Sequence, residues 1–309
     1  MDFSITDAHR EKVRERERST DGYPFVIAEG DYLTLHHQQD CIESVMQLSQ
    51  PNRLLFHYTK AMLAFAAFQP APEHILMLGL GGGSLVKHCY HHFPASRITV
   101  IEMDAYTIAE REQFMVPPDD ERLQVIHGDG IRYLADQALQ VDVLIVDCIF
   151  PGMLPFDQEQ RFYRSCWRAL SHHGVMVTNM LSKQAVDTMV SMMNLYASFD
   201  CRQRWCSFTQ RNNIIALAVK DDRSWIAKPG VLARLLRVFQ ESGMAPDFFC
   251  TNGNQISPLH ALNRQWLRHM QKNPTIQPSD ADDKVSIFLE PAHPPARRRQ
   301  LLETIAQPG

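Results

Sequence analysis

The chain has 309 residues, 45% of them apolar and 21% charged, with a formal charge of −4 at neutral pH. That length supports one large or two modest domains around a sizeable core, and the composition is that of an ordinary soluble globular protein. The small acidic excess argues against general affinity for nucleic acid or for an anionic membrane surface.

Residues 1–22 are a charged segment in which HREKVRERER (9–18) interleaves acids with bases, a pattern that predicts a solvated helix. Residues 23–72 then read as a small β-domain with a linking helix. Two alternating strands flank Glu29-Gly30-Asp31 within 23–37, a helix is expected over 54–68, and Pro70 and Pro72 mark a boundary. From residue 73 to 220 apolar strands alternate with helix-compatible segments. The strands fall at 75–78, 98–101, 123–126, 143–146 and 175–177, which predicts a parallel sheet covered on both faces. Two more runs, Trp205–Phe208 and Ile214–Val219, read as an antiparallel hairpin closing that sheet. Residues 221–309 are expected to form a helical extension, with helices at 229–242 and 258–271, and no role is legible in it.

The seven cysteines include no C-x-x-C, so neither a disulfide framework nor a structural zinc site is expected, and a reducing cytoplasm fits. The charged start does not resemble a signal peptide, and no apolar run approaches the length of a membrane span.

In an open parallel sheet, ligands bind beyond the carboxyl ends of the strands. The first strand runs into ILMLGLGGGSLV (75–86), placing Gly79, Gly81, Gly82 and Gly83 before a helix that begins near Ser84. The second ends at Glu102-Met103-Asp104, the third at His127-Gly128-Asp129-Gly130, and the fourth at Asp147. Glycines admit a ligand close to the backbone, and the helix start offers unpaired N–H groups. A carboxylate at Glu102 can accept both hydroxyls of a ribose, and one at Asp129 can accept the exocyclic amine of adenine. An NAD site lacks its third glycine, because Ser84 stands there, and leaves Asp129 and Asp147 unexplained. A hydrolase elbow has Val86 in place of its last glycine, and the Gly-Lys-Ser/Thr end of a P-loop is absent. A nucleoside-sulfonium compound, which has no phosphate to neutralise, accounts for the most positions.

These residues resemble the spermidine synthase (polyamine aminopropyltransferase) family over about residues 24–219. The resemblance is carried by the hairpin, His57-Tyr58-Thr59-Lys60-Ala61-Met62, GLGGGS, IEMD, HGDG and Val146-Asp147 followed by Pro151. It implies an α/β fold, with a small N-terminal β-domain before a Rossmann-like, seven-stranded sheet of the class I methyltransferase type. It also implies a transferase and a homodimer, with decarboxylated S-adenosylmethionine as group donor, a diamine as small-molecule acceptor and no metal. By position, Asp147 takes the place of the catalytic carboxylate and Tyr58 that of a tyrosine assisting at the acceptor amine. Gly79, Gly81, Gly82, Gly83, Glu102, Met103, Asp129 and Gly130 line the donor site.

Two positions depart from the family. Gly82 stands where an aspartate grips the donor's ammonium, so S-adenosylmethionine itself, and methyl transfer, enter as alternatives. Phe150 stands where a second acceptor-site aspartate belongs. A family glutamine upstream of the tyrosine is represented by Glu43 or Gln47. The competing reading is a non-catalytic nucleoside-binding protein with a degenerate acceptor site. His88, His91 and His92 are expected on a solvated helix face, and His172-His173 beside a helix end.

Overall fold

The computed structural model describes residues 6–18, 24–38, 41–136, 138–148, 152–181, 185–199, 205–210, 213–220 and 245–249, with Val231, Arg234, Arg237 and Val238. Phe150, the expected helix at 258–271 and the cysteines at 201 and 250 lie outside them.

Thr6 caps the first helix, α1 (Asp7–Glu17), by accepting the His9 amide hydrogen at 3.0 Å. The helix is solvated as expected except at His9 and Val13, which are buried. Val13 packs with Phe25 and Ile27, pinning the helix to the first sheet. That sheet comprises β1 (Phe25–Glu29), β2 (Tyr32–Gln38) and β3 (Cys41–Gln47), all antiparallel. Gly30 turns the expected hairpin at φ +57°. The third strand is unexpected, because register irregularities at Leu35/His36 and His36/Gln38 interrupt its alternation.

The expected helix over 54–68 forms as α2 (His57–Met62) and then tightens into a 3₁₀ turn at Leu63–Ala67. Ala61, Met62, Ala64 and Phe65 are fully buried, so packing rather than helix propensity holds this segment.

The main sheet contains β4 (His74–Leu78), β5 (Arg97–Glu102), β6 (Leu123–His127), β7 (Val141–Val146), β8 (Leu170–Leu181), β9 (Trp205–Gln210), β10 (Asn213–Val219) and β11 (Ala245–Phe249). Their order is β11-β9-β10-β8-β7-β4-β5-β6. The run from β8 to β6 is parallel, and β10, β9 and β11 add antiparallel pairs. The implied sheet of seven strands therefore gains an eighth, β11, which pairs with β9. Connecting helices are α3 (Ser84–His92), α4 (Ala105–Ala109), α5 (Gly130–Asp136), α6 (Phe156–Ala169) and α7 (Ala185–Ser198). Val231, Arg234, Arg237 and Val238 are helical, within the segment expected as helix. The His172-His173 pair follows shortly after the end of α6 at Ala169, and both histidines lie in β8, with His173 at φ +68°.

Alternation divides the strands between two cores. Ile75, Met77, Val143 and Ile145 face one side, with α2, α3 and the first sheet's Leu35 and Met46. Leu76, Leu78, Leu144 and Val146 face the other, with Phe162 of α6 and Leu195 of α7. No helix among the described residues is long and apolar enough to cross a membrane.

One cation is sealed into the first core. Lys87 of α3 is 1% exposed, and its ammonium donates to the Phe114 carbonyl at 2.6 Å and meets Met46 Sδ at 2.9 Å. Burial pulls its pKa down to about 8. Above that pH the unfolded chain holds this proton longer than the folded one, so stability rises until about pH 10.4, the ordinary lysine value. Lys87→Met is expected to flatten that rise, as read from thermal midpoints between about pH 7 and 10.

Candidate active site

Strand register assembles the rim. Val146 of β7 pairs with Thr178 of β8 and with Leu78 of β4, Leu78 with Ile101 of β5, and Glu102 with His127 of β6. The next residues therefore form a row across neighbouring strands: Asn179, Asp147, Gly79, Glu102 and His127. All these strands run parallel, but the order in which they are added reverses at β4, whose neighbours are β5 on one side and β7 on the other, and such a switch point is where a crevice opens.

Gly79 and Gly81 take positive φ, +98° and +51°. A Cβ on Gly79 would lie 3.1 Å from the Asp147 carbonyl, so glycine here lets two strand ends converge. Glu102 is fixed by the backbone: its carboxylate accepts N–H from Leu80 at 2.7 Å and from Asp104 at 2.9 Å. Each oxygen keeps a further lone pair for a ligand. Asp129 uses Oδ1 to accept the Ile131 amide at 2.8 Å at the start of α5, while Oδ2 receives no hydrogen bond among the described residues. Met103 is 65% exposed beside Glu102, and its carbonyl is held by His127 at 3.0 Å. Gly130 packs close beneath, where a Cβ would lie 3.1 Å from Leu78.

Asp147 gathers the remaining side chains. Asn179 donates to its Oδ1 at 3.0 Å, and the Tyr58 hydroxyl donates to the same carboxylate. Burial pushes the Asp147 pKa up to about 6; the hydrogen bonds from Asn179 and Tyr58 oppose this, and the nearby Glu43 carboxylate adds to it. The expected pair Asp147 and Tyr58 is thus in contact, although 89 positions separate them in sequence, with Tyr58 brought from α2. Of the two upstream candidates, Glu43 of β3 is the one that faces Asp147. Gln47 donates to Asp31 at 2.9 Å and accepts from Arg53 at 3.3 Å, bracing the first sheet's turn.

Cys148 lies among the same groups. Its thiol is pushed up to about 12, first by burial and then by Asp147, Glu102 and Asp129. Three carboxylates acting on one thiol place all three on one rim, and they leave Cys148 an inert packing residue, as its sequence neighbours imply.

Gly82 sits differently from its companions. It is buried, and its N–H donates to Ser44 Oγ of β3 at 2.8 Å. A Cβ there would lie 2.7 Å from Ser44 Cβ and 2.8 Å from Phe114 Cδ1. The space that a side chain at 82 would need is already filled by Ser44 of β3 and by Phe114 from the turn after α4.

Two residues of this constellation escape the sequence reading. Asn179 lies inside β8, which runs on to Leu181 with β10, so the strand-end rule that exposes Glu102, Asp129 and Asp147 does not reach it. Ser44 carries no such signal, since only the packing of β3 on the glycine loop brings it to Gly82. His88 departs from the expected solvated face: it is half-buried, and its Nδ1–H donates to the Asn52 carbonyl at 3.3 Å. No cluster of three or more histidine, cysteine or carboxylate side chains suited to a metal ion occurs among the described residues.

Comparison with known proteins agrees with this architecture. The family model for the spermine/spermidine synthase domain matches residues 55–207. The polyamine aminopropyltransferase of Neisseria meningitidis serogroup B is 34% identical over 179 residues, covering 56% of this chain and 68% of that protein. The enzyme of the same name from Chromobacterium violaceum is 32% identical over 160 residues, covering 51% and 61%. In fold, the chain is similar to a probable spermidine synthase from Corynebacterium glutamicum, with TM-score 0.62, 17% identity and coverage of 79% of this chain and 90% of that one. It is also similar to human methyltransferase-like protein 13 in complex with SAH, with TM-score 0.51, 22% identity and coverage of 65% and 98%. The ordered rim, its glycine loop and these matches make the chain a member of the spermidine synthase (polyamine aminopropyltransferase) family of transferases.

Proposed function

We propose that this chain transfers an aminopropyl group from decarboxylated S-adenosylmethionine to the amine of a small cationic acceptor. The observation that carries the reading is the Asp147 carboxylate, hydrogen-bonded by Tyr58 and Asn179 and faced by Glu43. The residues present fit a nucleoside donor. Glu102 has lone pairs to spare for ribose hydroxyls, Asp129 Oδ2 is open to an amine, and exposed Met103 offers an apolar surface to a base. When bound, the donor supplies a carbon activated by its sulfonium.

An alkyl amine is an ammonium at neutral pH, because such pKa values lie near ~10. It becomes a nucleophile only after losing a proton. Asp147 accepts that proton, and its raised pKa makes it a stronger base than an ordinary carboxylate while leaving it ionised at pH 7. The amine nitrogen then forms a bond to the activated carbon as the carbon–sulfur bond breaks, and the sulfur leaves as a neutral thioether. Tyr58 and Asn179 hold the carboxylate in place, so much of the rate derives from positioning. Glu43 and Asp147 together favour a cationic acceptor and disfavour a donor that carries its own carboxylate. Glu43 thereby supplies a negative charge to the acceptor side of the site. We propose the same division of the chain as its sequence suggests, with residues 73–220 as the catalytic domain behind the small domain of residues 23–72.

The pH dependence of turnover tests this reading. Activity needs ionised Asp147, so kcat is expected to fall as pH drops through about 6. Removing the Glu43 charge removes a repulsion that raises the Asp147 pKa. Glu43→Gln should therefore move the acid limb to lower pH while raising KM for a diamine. An acid limb that stays in place in Glu43→Gln would contradict the assignment of Asp147 as proton acceptor.

A further inference from the structure

A second cavity lies apart from the rim, on the α3 face of the molecule. Its volume is about 490 Å³, within the range of small-molecule sites. Arg53 from the segment after β3, Lys60 from α2, and His88, His91 and His92 from α3 line it. Gln50 and Asn52 also line it, and Pro51, Leu54, Leu63 and Val238 form its apolar part. Two permanent cations and three imidazoles thus face one space, and no carboxylate lines it among the described residues.

Arg53 and Lys60 repel each other across this space unless a counter-charge lies between them. Lys60 makes no ion pair among the described residues, and Arg53 meets only the neutral Gln47 carbonyl oxygen at 3.3 Å. The rings of His88 and His92 lie tilted by 33° with centroids 4.2 Å apart, and His91 meets His92 edge-on at 4.9 Å. Burial, and then the neighbouring imidazoles, hold His88 down to about 4, and His92 is lowered for the same reasons. The three rings therefore repel one another when charged, a cost that an anion between them would reverse. They do not gather into a metal site. The amides of Gln50 and Asn52 can donate to oxygen atoms, and the arginine fork suits planar or tetrahedral oxyanions.

We infer that this cavity binds a small polyanion, a molecule carrying two or more phosphate or carboxylate groups, at a site separate from the transferase centre. Its two cations come from the loop after β3 and from α2, and its imidazoles from α3, so the site exists only in the folded chain. None of the five basic residues belongs to the rim constellation around Asp147, Glu102 and Asp129.

Calorimetric titration of the full chain with inorganic triphosphate tests the inference, with citrate as the carboxylate arm. The expected result is saturable binding of at least one of the two, unchanged by Glu102→Ala, which acts at the nucleoside site. Arg53→Gln and Lys60→Gln should each weaken it by about tenfold, the size of one charge-assisted contact. Tighter binding of triphosphate assigns the site to phosphates, and tighter binding of citrate assigns it to carboxylates. Unchanged thermal midpoints show that the variants remain folded. Absence of binding by both anions, or equal binding by the wild-type chain and the Arg53→Gln/Lys60→Gln variant, overturns the inference.

Discussion

Asp147→Asn is expected to lower kcat by about 10²–10⁴, the contribution of a positioned general base, while donor affinity changes by less than about twofold. The substitution keeps the shape of the side chain and an oxygen that can accept from Asn179, now at 3.0 Å. It removes the ability to take a proton, together with the negative charge and one of the two acceptor oxygens, so KM for a cationic acceptor should rise as well. Because the carboxylate pays a desolvation cost, seen in its pKa of about 6, the neutral amide should leave thermal stability equal or higher. Single-turnover kinetics separate the chemical step from binding. Turnover at the wild-type rate would remove Asp147 from the mechanism. A parallel loss of donor binding would instead show that its role is structural.

The second large effect concerns the glycine loop. Gly82→Ala is expected to destabilise the fold by about 1–3 kcal/mol, the usual cost of overpacking a filled site. The added Cβ would meet Ser44 Cβ at 2.7 Å and the Phe114 ring at 2.8 Å. The cost should fall when Ser44→Gly is introduced as well, because the two residues compete for one volume and their effects are then not additive. Gly82→Asp, which would return the family's acidic residue, should behave worse than alanine and should not raise activity. Denaturant titration of the single and double variants checks the expectation, and additivity would refute the steric account. A side chain at position 82 thus competes with Ser44 and Phe114 for one volume.

The rim was largely legible in the sequence because its logic is local. Short β-rich runs such as ILML and VLIV end abruptly, and the residue after each end must stand at the sheet's carboxyl edge. Glu102, Asp129 and Asp147 follow from that rule without knowledge of any contact. The eighth strand was not legible: Ala245–Phe249 contains Pro246 and Asp247, poor strand formers that an edge position tolerates. β3 was hidden by its irregular register with β2, and with it went the reason to prefer Glu43 over Gln47. Ser44 and the sealed Lys87 depend on tertiary packing between the first sheet, the glycine loop and α3, which no pattern of spacing encodes. The cationic cavity shows the same division. The histidine spacing on α3 was visible, but Arg53 and Lys60 reach it only through the fold.

The most direct test of the central claim is the identity of the product. The purified chain would be incubated with decarboxylated S-adenosylmethionine and a panel of diamines at about pH 8, above the Asp147 titration, and the products resolved by mass spectrometry. The account predicts an acceptor heavier by one aminopropyl group, formed in equal amount with the nucleoside thioether and lost in Asp147→Asn. A methylated acceptor formed from S-adenosylmethionine, or no consumption of either donor with any amine, would contradict it.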